Sequence, residues 1–284
     1  MSSMSKRIST RKVFASVRRY TLLLSISIIW IIPAISIIFT AVKSRADFFS
    51  GMGLFEWPAS IHWENFTTAL FDANLLLYMR NSLFISVWKV PLGILVAALA
   101  AFAITRLNVK APRAIFIYFL IGMMVPFHVA LVPLNAFFVN HGLIDSFLGI
   151  TYVYIAFGLP FAILVLRGFF NTIPKEIDEA AYIDGCSKTR LFFSITLPLA
   201  KPAIASLFIL DFLATWNEYI LASVLIRDRT RQLITAGLMN FQGQFGTEFG
   251  LLSAGVLLNV IPIMLVYILL QRHFVEGMAG AIKS

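Results

Sequence analysis

Three charged residues stand in stretches otherwise apolar enough to cross a bilayer: Lys89, Asp211 and Glu218. A charge at such a depth costs at least ~2.5–3.5 kcal/mol on insertion scales, so it faces protein or water and marks a candidate functional position. At ~100° per helical residue, Asp211, Thr215, Glu218 and Ala222 share one face. Asp211 and Glu218 then lie ~10 Å apart along the axis. With Asn217 beside Glu218, the set Lys89, Asp211, Thr215, Asn217 and Glu218 reads as the polar lining of a path through the membrane. Each charge also has a plainer reading. Lys89 lies near the end of its span and can snorkel outward, and Glu218 can simply tie two helices together.

Other chemistry is excluded by what the residues lack. There is no Gly-x4-Gly-Lys-[Ser/Thr] and no Gly-Lys dipeptide, so the chain has no phosphate-cradling loop for ATP and is expected to be no enzyme. Four histidines are scattered without metal-ligand spacing, which predicts no metal and no bound cofactor. Cys186 is the sole cysteine, so no internal disulfide forms. Asn259 reads as a helix–helix hydrogen bond, and Trp57 and Trp63 as interfacial anchors.

A second constellation sits between apolar runs, from Arg167 to Pro202. Pro174 suits a helix start, and Glu176, Asp178 and Glu179 favour the positive end of that helix. Gly185 suits a left-handed stop, and Ser187 suits the cap of a second helix. That helix carries Leu191, Phe192 and Ile195 on one side and stops by Pro198. The small Ala180 and Ala181 let another backbone approach. Two short helices about a glycine turn, outside the bilayer, make either a docking knob for a partner or an interfacial amphipathic hairpin.

The elements that must position these residues are membrane helices. Apolar residues make up 59% of the 284 positions and charged ones only 13%, against about a quarter charged in ordinary globular chains. Most of the surface therefore cannot face water. Spans are expected at about 21–42, 82–106, 113–137, 148–168, 203–227 and 250–271. Proline interrupts all but the fifth, which is predicted to be the straightest. Lys and Arg number sixteen on one side of these spans and six on the other. Positive residues stay inside, so both termini are cytoplasmic, and 43–81, 138–147 and 228–249 face out. The first apolar run shows no cleavage site of a signal peptide. The net charge of +9 lies between spans and not on a soluble basic face, which argues against nucleic acid. The fold class is thus all-α, a polytopic integral membrane protein with six transmembrane helices. Its divisions are a basic segment 1–20, a first helix with an external loop 21–74, a core 75–270 and a tail 271–284.

Glu179-Ala180-Ala181-x3-Gly185-x9-Ile195-x-Leu197-Pro198 resembles, at every defined position, the EAA motif of ABC-importer permeases. Asn81-Ser82-Leu83, the Leu166–Glu176 run into the loop and Trp216-Asn217-Glu218-Tyr219 resemble the carbohydrate branch, and more narrowly the second permease of heterodimeric sugar importers such as the maltose importer. Lys89 and Asp211 depart from that branch pattern. The resemblance implies a bacterial-type inner-membrane permease subunit for a sugar, oligosaccharide or polyol. It implies partners: a second, non-identical permease, two ATP-binding cassette subunits that hold ATP and Mg, an extracytoplasmic solute-binding protein, and the lipid bilayer. It implies that Glu179, Ala180, Ala181, Gly185, Leu191, Ile195, Leu197 and Pro198 couple to the ATPase, with Glu179 pairing a basic residue there, and that Gly277, Gly280 and Lys283 in the tail touch it too. The 228–249 loop is expected to meet the binding protein, with Gly243, Gly246 and Gly250 letting it bend. Alternatives are a permease of the same family for a non-sugar solute and an ion-coupled secondary transporter. The latter predicts inverted repeats that the sequence does not show. A membrane enzyme would need a convergent nucleophile, base or metal set.

Overall fold

A computed structural model describes residues 10–243 and 246–282, with side chains at 16–241 and 248–272. The regular structure described is helical apart from a two-residue antiparallel ladder, Gln242–Gly243 against Gly246–Thr247. Four helices are long and apolar enough to cross a membrane, and two bent pairs bring the number of crossing segments to six if each pair counts as one.

Chain contacts divide the protein into two compact units. The first takes residues up to Asp72 together with 242–258. It holds α1 (Thr10–Ala41), α2 (Arg45–Phe49), α3 (Glu64–Thr67) with its π-helical continuation Thr68–Asp72, and the start of α14 (Phe249–Ile282). From Ser16 on, α1 is exposed along nearly its whole length, with Trp30 80% exposed. Such a surface is stable only against lipid or another protein. The turn after α1 is built from polar contacts. Lys43 is buried and donates to the carbonyls of Gly53 and Leu54. Asn65 Nδ2 donates to those of Ala41 and Lys43. Ser44 and Asp47 close a capping box on α2, and those Ser44 bonds hold the Asp47 carboxyl below the usual carboxylate range. Gly250 was expected to let a loop bend. It instead sits in the first turn of α14, where a Cβ would strike the Lys43 carbonyl and the Asn65 amide.

The second unit is built on α4 (Leu75–Arg106) and α7 (Phe147–Thr172), which pack along each other. α4 starts seven residues before the expected 82. Between them lie α5 (Pro112–Met124) and α6 (Phe127–Asn140). These two meet at 88°, so the expected span 113–137 is broken. The cause is local: Pro126 lacks an N–H and forces Val125 into an extended conformation, φ −80° and ψ 114°.

After α7 come α8 (Lys175–Ile183), α9 (Lys188–Leu191), a π turn Phe192–Thr196, and α10 (Leu197–Leu199). Gly185 turns the chain at φ +75°, and the Ser187 hydroxyl accepts from Arg190 N–H. Helical structure runs through Pro198, one residue past the expected stop. The apolar side of the second helix packs inward at its start. Leu191 and Phe192 are fully buried in this chain, with the Phe192 ring 5.1 Å from Phe102.

The fifth span, expected to be the straightest, is broken. The α9–α10 segment bends 75° into α11 (Lys201–Trp216). Sixteen residues rise only ~24 Å, short of the hydrocarbon core. The helix then opens at 217–219 and resumes as α12 (Ile220–Leu225). The following stretch is not a free loop either. α13 (Ile234–Met239) packs on α4 with Leu233 and Ile234 buried. Gly237 lets it lie against the Tyr78 ring, where no Cβ fits. Asn81 Nδ2 donates to the carbonyls of Thr230 and Gln232, and the Ser82 hydroxyl accepts from Ile234 N–H.

Candidate functional site

Two sites emerge, one inside the membrane and one at the end of α4 and α7. The first is a cavity of about 190 Å³ lined by residues of α4, α6, α7, α11 and α12. α4 brings Lys89, 3% exposed and so not snorkelling as one expectation had it. Its Nζ donates to Asp211 Oδ1 of α11 at 2.5 Å. Gly158 of α7 lies against this pair, at a distance where a Cβ would make ordinary van der Waals contact with Nζ and Oδ1, 3.4 and 3.5 Å away.

Glu218 reaches the same cavity from the break after α11, not from a continuous helical face. Its Oε1 accepts from Leu221 N–H at 2.7 Å, and Oε2 accepts from Ala222 N–H at 3.0 Å and from the Tyr154 hydroxyl at 2.6 Å. The carboxylate thereby satisfies amides that the broken helix leaves open, and ties α12 to α7. Thr215 lines the cavity too, its hydroxyl bonded back to the Asp211 carbonyl. Asn217 does not join them: it is exposed, and its amide donates to the Leu213 carbonyl. Phe127, Tyr154, Phe157, Ala214 and Leu221 complete the wall. The cavity thus offers aromatic faces, one ammonium already matched to a carboxylate, and a second carboxylate. Just below it, Trp216 Nε1 donates to Asn259 Oδ1 of α14 at 2.8 Å, the helix–helix bond expected of Asn259.

The second site is the turn from α8 to α11. Glu179 and Ala180 are exposed, as is Gly185, while Ala181 is buried. Ile183 is 87% exposed and Tyr182 42%, so apolar surface surrounds Glu179 with nothing of this chain to cover it among the described residues. Ile195 and Leu197 are half-buried, and Pro198 is exposed. Leu191 lies in the interior and so supports the turn from within. Beneath α8, Arg106 at the end of α4 contacts Asp178 Oδ2 at 3.1 Å. Burial pushes the Asp178 carboxyl above the usual carboxylate range, with Arg106 and Lys175 pulling against it. Gly277, Gly280 and Lys283 lie outside the residues whose side chains are described.

Sequence reasoning passed over Arg106, Asp178, Ile183, Tyr154 and Gly158. Arg106 counted only toward orientation and Asp178 only toward a helix dipole. The signal available for Tyr154 was a hydroxyl in mid-span, which needs a partner in hydrocarbon.

Residues 89–280 match the family described as "binding-protein-dependent transport system inner membrane component". The chain belongs to this family of ABC-transporter permeases. It is 33% identical to the probable ABC transporter permease protein YurM of Bacillus subtilis over 89% of this chain and 83% of that one. It is 32% identical to the diacetylchitobiose uptake system permease protein NgcG of Streptomyces coelicolor, over 97% and 90%. Its fold is shared with a crystal structure of a bacterial ABC transporter involved in import of the acidic polysaccharide alginate, at TM-score 0.80 and 22% identity, covering 94% of this chain and 98% of that chain. The permease is thus a multi-pass component of the inner membrane and the non-catalytic, transmembrane part of its transporter.

Proposed function

We propose that this permease forms one half of the pathway for a neutral, carbohydrate-like solute, and that the α8–α11 turn docks on a cytoplasmic ATPase. The observation that carries the first part is the cavity: Lys89, Asp211, Thr215 and Glu218 meet three aromatic rings inside the membrane. Sugar rings present apolar C–H faces to aromatic walls and hydroxyl donors to carboxylates. With two carboxylates and one ammonium the cavity carries an excess of negative charge, which opposes an anionic solute. The relative named for diacetylchitobiose uptake points to the same class.

The exposed Glu179, Ala180, Tyr182 and Ile183 support the second part. Burying them on a partner stabilises the contact by ~25 cal/mol per Å² of apolar surface, and Glu179 would pair with a cation there. The complete assembly in this reading has a second permease, two ATP-binding cassette subunits that bind ATP and Mg, and an external binding protein. Both termini lie in the cytoplasm, as the distribution of Lys and Arg favours. The packed α13 segment faces outward, toward the binding protein.

The test is uptake by the complete transporter in proteoliposomes, supplied with its binding protein and a panel of neutral, N-acetylated and uronate oligosaccharides. Neutral members are expected to be imported and uronates excluded. Glu218→Gln is expected to lower uptake about tenfold or more, by taking a charged partner from three hydrogen bonds. Unchanged uptake and unchanged assembly in Glu218→Gln would remove the cavity from the pathway.

A further inference from the structure

The ends of α4 and α7 are held to α8 by one side chain. Arg106 Nη1 lies 3.1 Å from Asp178 Oδ2. Its Nη2 donates to the carbonyl of Phe170 at 2.8 Å and that of Ile173 at 2.7 Å. The Arg106 side chain is 4% exposed and that of Asp178 11%. Phe170 lies in the last turn of α7 and Ile173 caps it, where carbonyls are short of intrahelical partners and the dipole is negative; the Phe170 carbonyl also accepts from Ile173 N–H at 3.2 Å. One guanidinium thus satisfies the end of α7 and the carboxylate of α8 while terminating α4.

We propose that Arg106 is a positioning residue: it makes α8 move as one body with α4 and α7, so that displacement of the docking turn reaches the cavity through Lys89 and Tyr154. This rests on the reading of the α8–α11 turn as the ATPase-docking element. Two routes lead from that turn to the cavity. One follows the chain through Gly185, α9, the π turn and α10 into α11, which carries Asp211. It includes a glycine at positive φ and a 75° bend, both compliant features. The other leaves the chain at Asp178, crosses to Arg106 and runs along a single helix to Lys89, ~25 Å away at 1.5 Å per residue. The Lys89–Asp211 pair joins the two routes at the cavity. A rigid link at Arg106 keeps α4 and α7 in step with α8, and the fork geometry is what permits two hydrogen bonds and an ion pair at once. A lysine at 106 has one ammonium and cannot span the carboxylate and both carbonyls in the same way.

The experiment uses the complete transporter in a lipid bilayer. Cys186→Ser removes the sole cysteine of this chain, and Ala214→Cys places a reporter on the cavity wall. The labelling rate by N-ethylmaleimide is measured with and without MgATP, alongside ATP hydrolysis and retention of the ATPase subunits. With Arg106 in place, MgATP changes the labelling rate. Arg106→Gln is expected to shrink that change about tenfold or more while the ATPase stays bound and hydrolyses. Asp178→Asn, which keeps the shape of the turn and leaves the two carbonyl bonds, is expected to do the same less completely. Arg106→Lys should fall between wild type and Arg106→Gln. Full nucleotide dependence in both Arg106→Gln and Asp178→Asn overturns the proposal. So does a loss that only tracks loss of bound ATPase, which would make Arg106 a structural clamp. Glu179→Ala separates the two layers. If it keeps both ATPase binding and nucleotide-dependent labelling, the docking reading itself fails, whatever Arg106 does.

Discussion

α4 carries two buried cations, and they are built differently. Lys89 meets one carboxylate, Asp211, beside a cavity. Arg106, at the helix end, meets a carboxylate and two carbonyls. A compact ammonium on a flexible stem makes a contact that can be broken and remade one bond at a time, whereas a planar fork fixes three groups in one geometry. The difference suits their places. In the proposed reading the Lys89–Asp211 pair borders the space a solute would occupy, and there it has to tolerate rearrangement. Arg106 joins the ends of α4 and α7 to α8, and in the proposed reading that relation has to stay constant.

The largest effect is expected from breaking the membrane pair on one side only. Lys89→Met leaves Asp211 without its cation, and Asp211→Leu leaves Lys89 without its anion. Removing one partner of a buried pair costs ~3–5 kcal/mol, whereas replacing both by apolar residues is often neutral or stabilising. Each single variant should therefore unfold at clearly lower denaturant or temperature in detergent, and Lys89→Met/Asp211→Leu should recover most of that stability. Recovery of stability without recovery of transport is the outcome that assigns the pair to the pathway. Recovery of both would make it a packing device and erase the contrast with Arg106.

Next in size is Tyr154→Phe. It takes one hydroxyl from Glu218 and leaves the two amide bonds of Leu221 and Ala222 in place. Hydrogen bonds to charged groups contribute about 1.5–3 kcal/mol, so a loss near the lower end is expected, read as a shift in the unfolding midpoint of the purified transporter. A shift equal to that of Glu218→Gln would show that the tyrosine, and not the helix cap, is what holds this carboxylate.

How much of this could be read beforehand follows the same division. The α8–α11 turn depends on local chemistry. Gly185 takes positive φ, Ser187 caps α9, and the acidic first turn of α8 forms where the residue types put it. Even there, what one face packs against is not local. Leu191 and Phe192 are apolar at helical spacing, but which neighbour covers them is decided by Phe102 of α4, about ninety residues earlier in the chain. At the cavity the residue types were legible and the partners were not. Lys89 and Asp211 are 122 positions apart, and a local reading sends a lysine near a span end out to water. The break at 217–219 was hidden for a related reason. It has no proline, and its signal is a glutamate that folds back to cap the next helix, which reads as an ordinary mid-helix acid until Tyr154 is placed beside it. Pro126 did carry its own signal, although bilayer helices tolerate proline well enough for the 88° bend to be missed.

The smallest expected effect is at Asn259, and compared with its partner Trp216 it tests whether the neighbourhood of the cavity is held by polar bonds or by shape. Trp216 is 1% exposed, its ring stacks on Phe212 with centroids 5.5 Å apart, and its Nε1 donates to Asn259 Oδ1. Replacing Asn259 by Leu removes that acceptor and nearly keeps the volume. Interhelical side-chain hydrogen bonds in membranes average only ~0.6 kcal/mol, because unpaired groups find other partners. Here Nε1 has one at hand, the Asn259 main-chain carbonyl at 3.3 Å. Asn259→Leu is therefore expected to move the unfolding midpoint by little more than the error of the measurement. Trp216→Ala, which empties a buried ring, should cost ~3–5 kcal/mol. If the two variants instead cost the same, the hydrogen bond fixes how α11 meets α14. The stability of the broken fifth span would then rest on polar contacts throughout, as it does at Glu218.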